Sequence, residues 1–201
     1  MVVPDDDDAT LYVAAGRGDE GAFARLFDRH QASVVRFCFR FVGDLPRAEE
    51  LAQDIFVRLY QSAPRWRPEA RFQTYLFRVA TNRCLNERRR EKARPEVSDA
   101  QVRDDGEAGP TDSAADAHTP HDALVGRELE AVVRAALGAM SDRERAAFAM
   151  CRFEGLAYKD IAHALEASEA AVKSLIHRAT LTVARHLEAW RQQTRPARST
   201  A

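Results

Sequence analysis

Residues 95–122 read PEVSDAQVRDDGEAGPTDSAADAHTPHD. Pro, Gly, Ser, Ala and Asp dominate this stretch, and no apolar periodicity runs through it. Such a composition cannot bury enough apolar surface to offset the entropy of an ordered chain, so the segment is expected to be a flexible, disordered linker. The sequence on either side must then form two separate blocks, each with its own core. Both blocks carry apolar residues at helical spacing, and neither shows the strict alternation of a half-buried strand. The expected fold is all-α: two small helical domains joined by a flexible acidic linker.

In the first block, Phe23, Leu26, Phe27, Val34, Phe37, Cys38 and Phe41 mark one helix over residues 20–42, ended by Gly43. Asp44 is placed to cap a second helix, with Pro46 tolerated in its first turn. Its stripe is Ala48, Leu51, Ala52, Ile55, Phe56 and Leu59. APRWRPEAR holds two prolines and reads as a loop. A third helix starts near Phe72 and runs through Leu76, Val79 and Ala80 into ERRREKAR. Three such helices can close a bundle of three or four helices.

The second block starts near Leu124, where Leu129, Val132, Val133 and Leu137 mark a helix. In SDRE, Ser141 and Glu144 form a capping box for the next helix, which Gly155 stops. YKDIAHALEASEAAVKSLIHRA then reads as helix, tight turn and helix. Ile161 and Leu165 face a core, Ala162 is small where two helices approach, and Val172, Leu175 and Ile176 pack the second helix back. Ser168 suits its N-cap and Glu169 its positive end. The exposed face keeps Glu169, Lys173, Ser174, His177 and Arg178. Early polar residues of this kind read base edges and phosphates when a helix enters a major groove. Glu166 occupies the turn, where Gly is often preferred. The expected boundaries are a flexible acidic tail over 1–17, domains over 18–94 and 124–190, the linker over 95–123, and a second flexible tail over 191–201.

A formal charge of −1 looks wrong for a nucleic-acid binder, but the charge is segregated. Pro64 to Arg94 holds ten Arg or Lys against three acids, and Pro95 to Ala123 holds eight acids against one Arg. Local fields decide phosphate binding, because screening acts within about 8 Å in physiological salt. Within the first basic block, RWRPEARFQTYLFRVATNRCLNERRR interleaves Trp66, Phe72 and Tyr75 with Arg67, Arg71 and other arginines. Cations hold a nucleic-acid backbone while aromatic faces stack on unpaired bases, worth about 1–3 kcal/mol per base. Asn82 and Asn86 lie four apart on one helical face, and an amide can bond an exposed base edge.

Other chemistries find little support. Cys38, Cys84 and Cys151 are far apart in the chain and read as small buried hydrophobes, with no CxxC pair and no Cys/His cluster. No metal site, cofactor or catalytic triad is expected, and the chain is not read as an enzyme. No run of eighteen apolar residues exists, so membrane insertion is not expected. The start, MVVPDDDD, lacks the apolar core of a secretory signal, and a cytoplasmic location is expected.

Taken together, the two blocks resemble the bacterial extracytoplasmic-function (ECF) sigma factors, which carry sigma regions 2 and 4 only. GDEGAFARLFDRHQASVVRF and AEELAQDIFVRLY resemble the early helices of region 2. RWRPEARFQTYLFRVATNRCLNERRR resembles the segment that melts and reads the −10 element. LGAMSDRERAAFAMCRFEGLAYKDIAHALEASEAAVKSLIHRA resembles region 4, which reads the −35 element. The resemblance spans about residues 18–92 and 126–188. It implies a sigma factor that binds RNA polymerase core and directs promoter-specific transcription initiation. It further implies that Glu50, Gln53 and Asp54 face the coiled coil of the largest polymerase subunit, with region 4 at the flap. Trp66, Arg67, Arg71, Phe72, Tyr75, Asn82 and Asn86 would hold the melted −10 strand. Ser168, Glu169, Lys173, Ser174, His177 and Arg178 would lie on the −35 duplex. Promoter DNA and an anti-sigma factor are the other implied partners.

The sequence departs from the family pattern in four places. Pro68 replaces a common Gly, Tyr75 a common Trp, Asn86 a frequent Asp, and Leu175 an Arg of the recognition helix. The competing reading is a helix-turn-helix transcription regulator that acts without docking on polymerase core.

Overall fold

The computed structural model of the chain describes residues 7–93 and 120–194. These form eight α-helices, with no strand among the described residues. Most of the expected linker, and the end of the expected C-terminal tail, lie outside them. Helix α5 (Pro120–Gly138) begins four residues before the expected boundary at Leu124, and α8 (Glu169–Thr194) runs past the expected boundary at residue 190.

The first helix is a correction. The acidic N-terminal segment expected to be a flexible tail is helical over Asp7–Gly16, α1. Asp7 and Asp8 stand in its first turn, where negative charge favours the helix N-terminus. Leu11, Tyr12 and Ala15 are buried against the bundle, and Asp8 meets His30 at 2.8 Å. Docking therefore stabilises a helix too short to be stable alone.

Helix α2 spans Glu20–Val42. It starts at Asp19, whose carboxylate accepts from the Ala22 amide, and ends at Gly43, with φ 73°. Helix α3 (Leu45–Ser62) is capped by Asp44, with Pro46 in its first turn. A 3₁₀ turn over Ala63–Arg65 leads into the loop before α4 (Phe72–Ala93). The buried stripe of α3 is the expected one: Ala48, Leu51, Ala52, Ile55, Phe56 and Leu59.

In the second half, α6 (Asp142–Arg152) carries the expected capping box: the Glu144 amide donates to the Ser141 hydroxyl and the Ser141 amide to the Glu144 carboxylate. Helix α7 (Tyr158–Ala164) and α8 make the helix-turn-helix, with Ser168 Oγ accepting from the Ala171 amide. Glu166 in the turn takes φ 49°, the left-handed region that glycine tolerates best.

One apolar core runs through both halves, from Leu11 to Ile176. At the seam, α2 and α4 pack against α6 and α7. The polar contacts there range from the exposed Lys92–Asp142 pair, at 3.2 Å, to part-buried and buried ones. The Glu154 carboxylate accepts from the Ser33 hydroxyl at 2.8 Å and from Arg40 at 3.3 Å, and the Glu154 carbonyl accepts from the Gln73 amide. Arg145 is 2% exposed and donates to the carbonyls of Leu137, Gly138, Met140 and, across the seam, Phe41. Burial lowers its pKa, and four carbonyl dipoles hold its charge in place of a carboxylate.

Candidate nucleic-acid interface

Helix α4 has two faces that follow from its phase. Phe72, Leu76, Phe77, Ala80 and Cys84 are buried. Arg71, Tyr75, Arg78, Asn82 and Asn86 recur at steps of four, three, four and four, which is one straight helical row. Arg71, Asn82 and Asn86 are exposed, while Tyr75 and Arg78 are half-buried. The Tyr75 amide bonds the Arg71 carbonyl, so Arg71 continues the row although it precedes the helix. At 1.5 Å per residue the row is about 22 Å long, the length of about six stacked nucleotides. It offers two guanidiniums, an aromatic face and two amides. Arg78 stands over the Tyr75 ring at 5.2 Å.

The loop before α4 closes one end of the row. Trp66 is half-buried and Arg67 exposed. A cleft of about 300 Å³ lies here, lined among others by Ser62, Trp66, Arg67, Tyr75 and Arg78, with His163 of α7 on its far side. The rings of Trp66 and Tyr75 sit 6.2 Å apart. Phe72 must be corrected. It was expected to touch a strand, but it is 1% exposed and packs against Tyr12 and His30. Its place at the core end of the helix phase excludes it from the outer row.

On α3, Glu50, Gln53 and Asp54 are exposed together, opposite the buried stripe. Two of them are already engaged within the chain. Asp54 accepts from Arg83 at 2.7 Å, and Glu50 pairs with Arg47. Both arginines converge on Glu87, whose carboxylate is 8% exposed and which Arg83 meets at 2.9 Å. Burial works to raise the Glu87 pKa, but hydrogen bonds from Arg47 and Arg83 outweigh it and hold the group below its ordinary value. This network ties α3 to α4 beside Asn82 and Asn86. The periodicity did not single out Val57 and Tyr60, which are 55% and 48% exposed on the same helix. Their signal was an apolar residue off the core stripe.

On α8, Glu169, Lys173, Ser174, His177 and Arg178 are all exposed, as is Ser168 at the cap. Ser174 bonds back to the Ala170 carbonyl, and Arg178 is held by Glu144 at 2.6 Å. Leu175 is 9% exposed and part of the core, so its side chain packs rather than reaching outward. Cys38 and Cys84, far apart in sequence, meet sulfur to sulfur at 3.8 Å in the core. Their mutual hydrogen bond, with burial, pushes the Cys84 thiol well above its ordinary pKa and keeps it protonated. Among the described residues no cluster of His, Cys, Asp and Glu could hold a metal, and no helix is long and apolar enough to cross a membrane.

Comparison with known proteins matches both halves. The family profile described as Sigma-70 region 2 covers residues 26–94, and that described as Sigma-70, region 4 covers residues 130–182. The chain is 31% identical over 184 residues to the RNA polymerase sigma-H factor of Pseudomonas aeruginosa, covering 91% of this chain and 95% of that one. It is 30% identical over 165 residues to the ECF RNA polymerase sigma factor SigW of Bacillus subtilis, covering 81% and 87%. Among solved structures, CnrH in complex with the cytosolic domain of CnrY has the same fold, with TM-score 0.67, 22% identity and coverage of 92% and 99%. RpoE of Bartonella quintana, solved with the anti-sigma factor NepR, aligns at TM-score 0.59 and 15% identity over 83% and 96%.

Proposed function

The chain belongs to the extracytoplasmic-function sigma factors of the sigma-70 family, and on that premise we propose which of its faces performs which step. As a sigma factor it binds RNA polymerase core and directs promoter-specific transcription initiation. The row on α4 carries the reading of the first half. Arg71 and Arg78 hold the backbone of a melted −10 strand, Tyr75 and Trp66 stack on its bases, and Asn82 and Asn86 bond exposed base edges. Arg67 adds charge at the loop. The exposed row of α8, from Ser168 and Glu169 through Lys173, Ser174, His177 and Arg178, lies on the −35 duplex. Glu50, Gln53 and Asp54, with Val57 beside them, dock on polymerase core. The acids steer a basic partner and the apolar side chain seals the contact.

No covalent step is required. Binding energy on the open strand offsets unpairing, about 1.4 kcal/mol per stacked step, and a base drawn out of the stack costs a few kcal/mol more. Neither half supplies enough alone, which is why core polymerase is needed. The tasks divide between the two halves, the first taking in α1 (Asp7–Gly16) as well as α2 to α4, and the second running from α5 to the end of α8. A cytoplasmic location and an anti-sigma partner go with the same reading. The relatives are sigma factors rather than enzymes, in keeping with a protein that positions DNA for another catalyst.

The observation that carries the reading is one row of cations, an aromatic and amides on α4, in the same chain as an exposed polar row on the second helix of a helix-turn-helix. Fork DNA with a duplex −35 end and a single-stranded −10 end tests it. Binding should need core polymerase and should depend on the single strand. Tight binding by the protein alone to fully duplex DNA would favour a regulator that acts without core.

A further inference from the structure

The face of α1 that enters the bundle does more than fill it. Tyr12 is fully buried, and its ring meets Trp66 edge-on at 5.1 Å, Phe72 at 4.8 Å and Tyr75 at 5.9 Å. Two of these three rings, Trp66 and Tyr75, line the cleft at the end of the α4 row. The Tyr12 hydroxyl donates to the Leu59 carbonyl at 2.6 Å and lies 3.0 Å from Ser62 Oγ. Ser62 Oγ in turn accepts from the Tyr75 hydroxyl at 2.9 Å. One side chain therefore touches the end of α3, the loop tryptophan and the first turn of α4.

Gly16, one turn further along α1, meets the same turn from its other end. A Cβ at Gly16 would stand 2.5 Å from the Ala63 carbonyl oxygen, so only glycine permits this approach. That carbonyl accepts the Trp66 amide at 3.2 Å. A push on Ala63 is thus transmitted to the backbone of Trp66. The loop itself has few supports of its own: a 3₁₀ turn, two prolines and an exposed Arg67 that bonds the Trp66 carbonyl.

We propose that Tyr12, with Gly16, is a positioning residue for strand reading: α1 is the brace that fixes the Trp66 loop against Tyr75 at the geometry in which a base is captured. The inference rests on the assignment of the α4 row and its loop to the melted strand. Tyr12 touches no DNA and acts only through Trp66 and Tyr75. A site must be held within about 0.5 Å of its productive geometry to discriminate, and locked supporting side chains supply that precision.

The test selects from fork oligonucleotides randomised separately in the single-stranded −10 region and in the duplex −35 region. Holoenzyme is assembled from core polymerase with wild type, Tyr12→Phe, Tyr12→Leu or Gly16→Ala, and bound sequences are counted. Tyr12→Phe keeps the ring and loses the hydroxyl bonds, and should lower −10 base discrimination about three-fold. Tyr12→Leu and Gly16→Ala should lower it about ten-fold. Selection in the −35 region and affinity for core should stay within two-fold of wild type for all three. Equal losses at −10, at −35 and in core affinity would overturn the proposal, because a merely structural tyrosine weakens everything together. Unchanged −10 discrimination in folded Tyr12→Leu and Gly16→Ala would overturn it as well. Failure of the underlying assignment looks different: the wild-type holoenzyme would then select no −10 sequence at all.

Discussion

The Glu154 carboxylate accepts the Ser33 hydroxyl at 2.8 Å across 121 residues of chain. Glu154 belongs to the turn between α6 and α7, and its side chain, 7% exposed, is inserted between α2 and α4 with Arg40 on the same carboxylate. Phe153 lies under the Arg40 guanidinium at 3.7 Å. This clamp holds α7 beside α4, and His163 of α7 faces the cleft where a strand is proposed to bind. Removing one partner of such a pair is costly, because the group left behind keeps its desolvation without its counter-charge.

Glu154→Gln keeps the shape of the clamp and removes its charge. It should weaken packing of the two halves by about 2 kcal/mol. The radius of gyration in small-angle scattering should rise, and the free variant should bind single-stranded DNA more tightly than wild type. An unchanged radius and unchanged binding would show that the seam does not depend on this carboxylate.

Glu166→Gly removes a Cβ from a residue at φ 49°. Left-handed backbone costs an ordinary residue about 1 kcal/mol, partly cancelled by the greater freedom of glycine when unfolded. Stability of the second half should rise by about 0.5 kcal/mol, read from the denaturant midpoint. A lower midpoint would mean that the Glu166 side chain contributes more than its backbone strain costs.

Acid should unfold the protein through a small set of carboxylates. Glu87 and Asp142 are held below their ordinary pKa although burial opposes this, by Arg47 and Arg83 in one case and chiefly Lys92 in the other. Glu144 is lowered first by its hydrogen bond from Arg178. A depressed carboxyl adds stability that is fully present above its unfolded value, about 4.3 for Glu, and lost as pH falls through the folded value. The melting temperature should therefore be level from pH 8 to about 5 and fall below about 4.3. Glu87→Gln should lose about 2 kcal/mol of stability at pH 7, melt at a lower temperature there, and show a shallower acid limb. A parallel acid limb would assign the sensitivity to other groups.

Asp54→Asn separates docking from folding. Asp54 is 55% exposed along its side chain, so its pair with Arg83 adds less than about 1 kcal/mol to the fold. Affinity for polymerase core should drop about ten-fold, read by anisotropy of labelled protein, with the melting temperature almost unchanged. Unaltered core affinity would move the docking surface away from this part of α3.

How much of this was legible depended on range. The Ser141–Glu144 capping box, the Asp44 cap and the α3 stripe are local patterns, and the structure carries each of them. Phe72 was misplaced because interleaved aromatics and arginines do not say which ring turns inward; only the full phase with Leu76, Ala80 and Cys84 does. Tyr12 follows an acidic run in a short stretch, ATLYVAAG, where three buried positions make a weak stripe and the docking partners lie about 50 residues away. Glu154 and Arg145 left no trace, because a polar residue buried across a seam has no periodicity. The meeting of Cys38 with Cys84 is likewise set by helix packing, not by spacing along the chain.

Transcription by bacterial core polymerase on genomic DNA of the source organism, with and without this protein, tests the central claim most directly. The account predicts discrete new transcripts that require both components and that vanish when Trp66 and Tyr75 are both replaced by Ala. No transcripts with core, together with a footprint made by the protein alone, would contradict it.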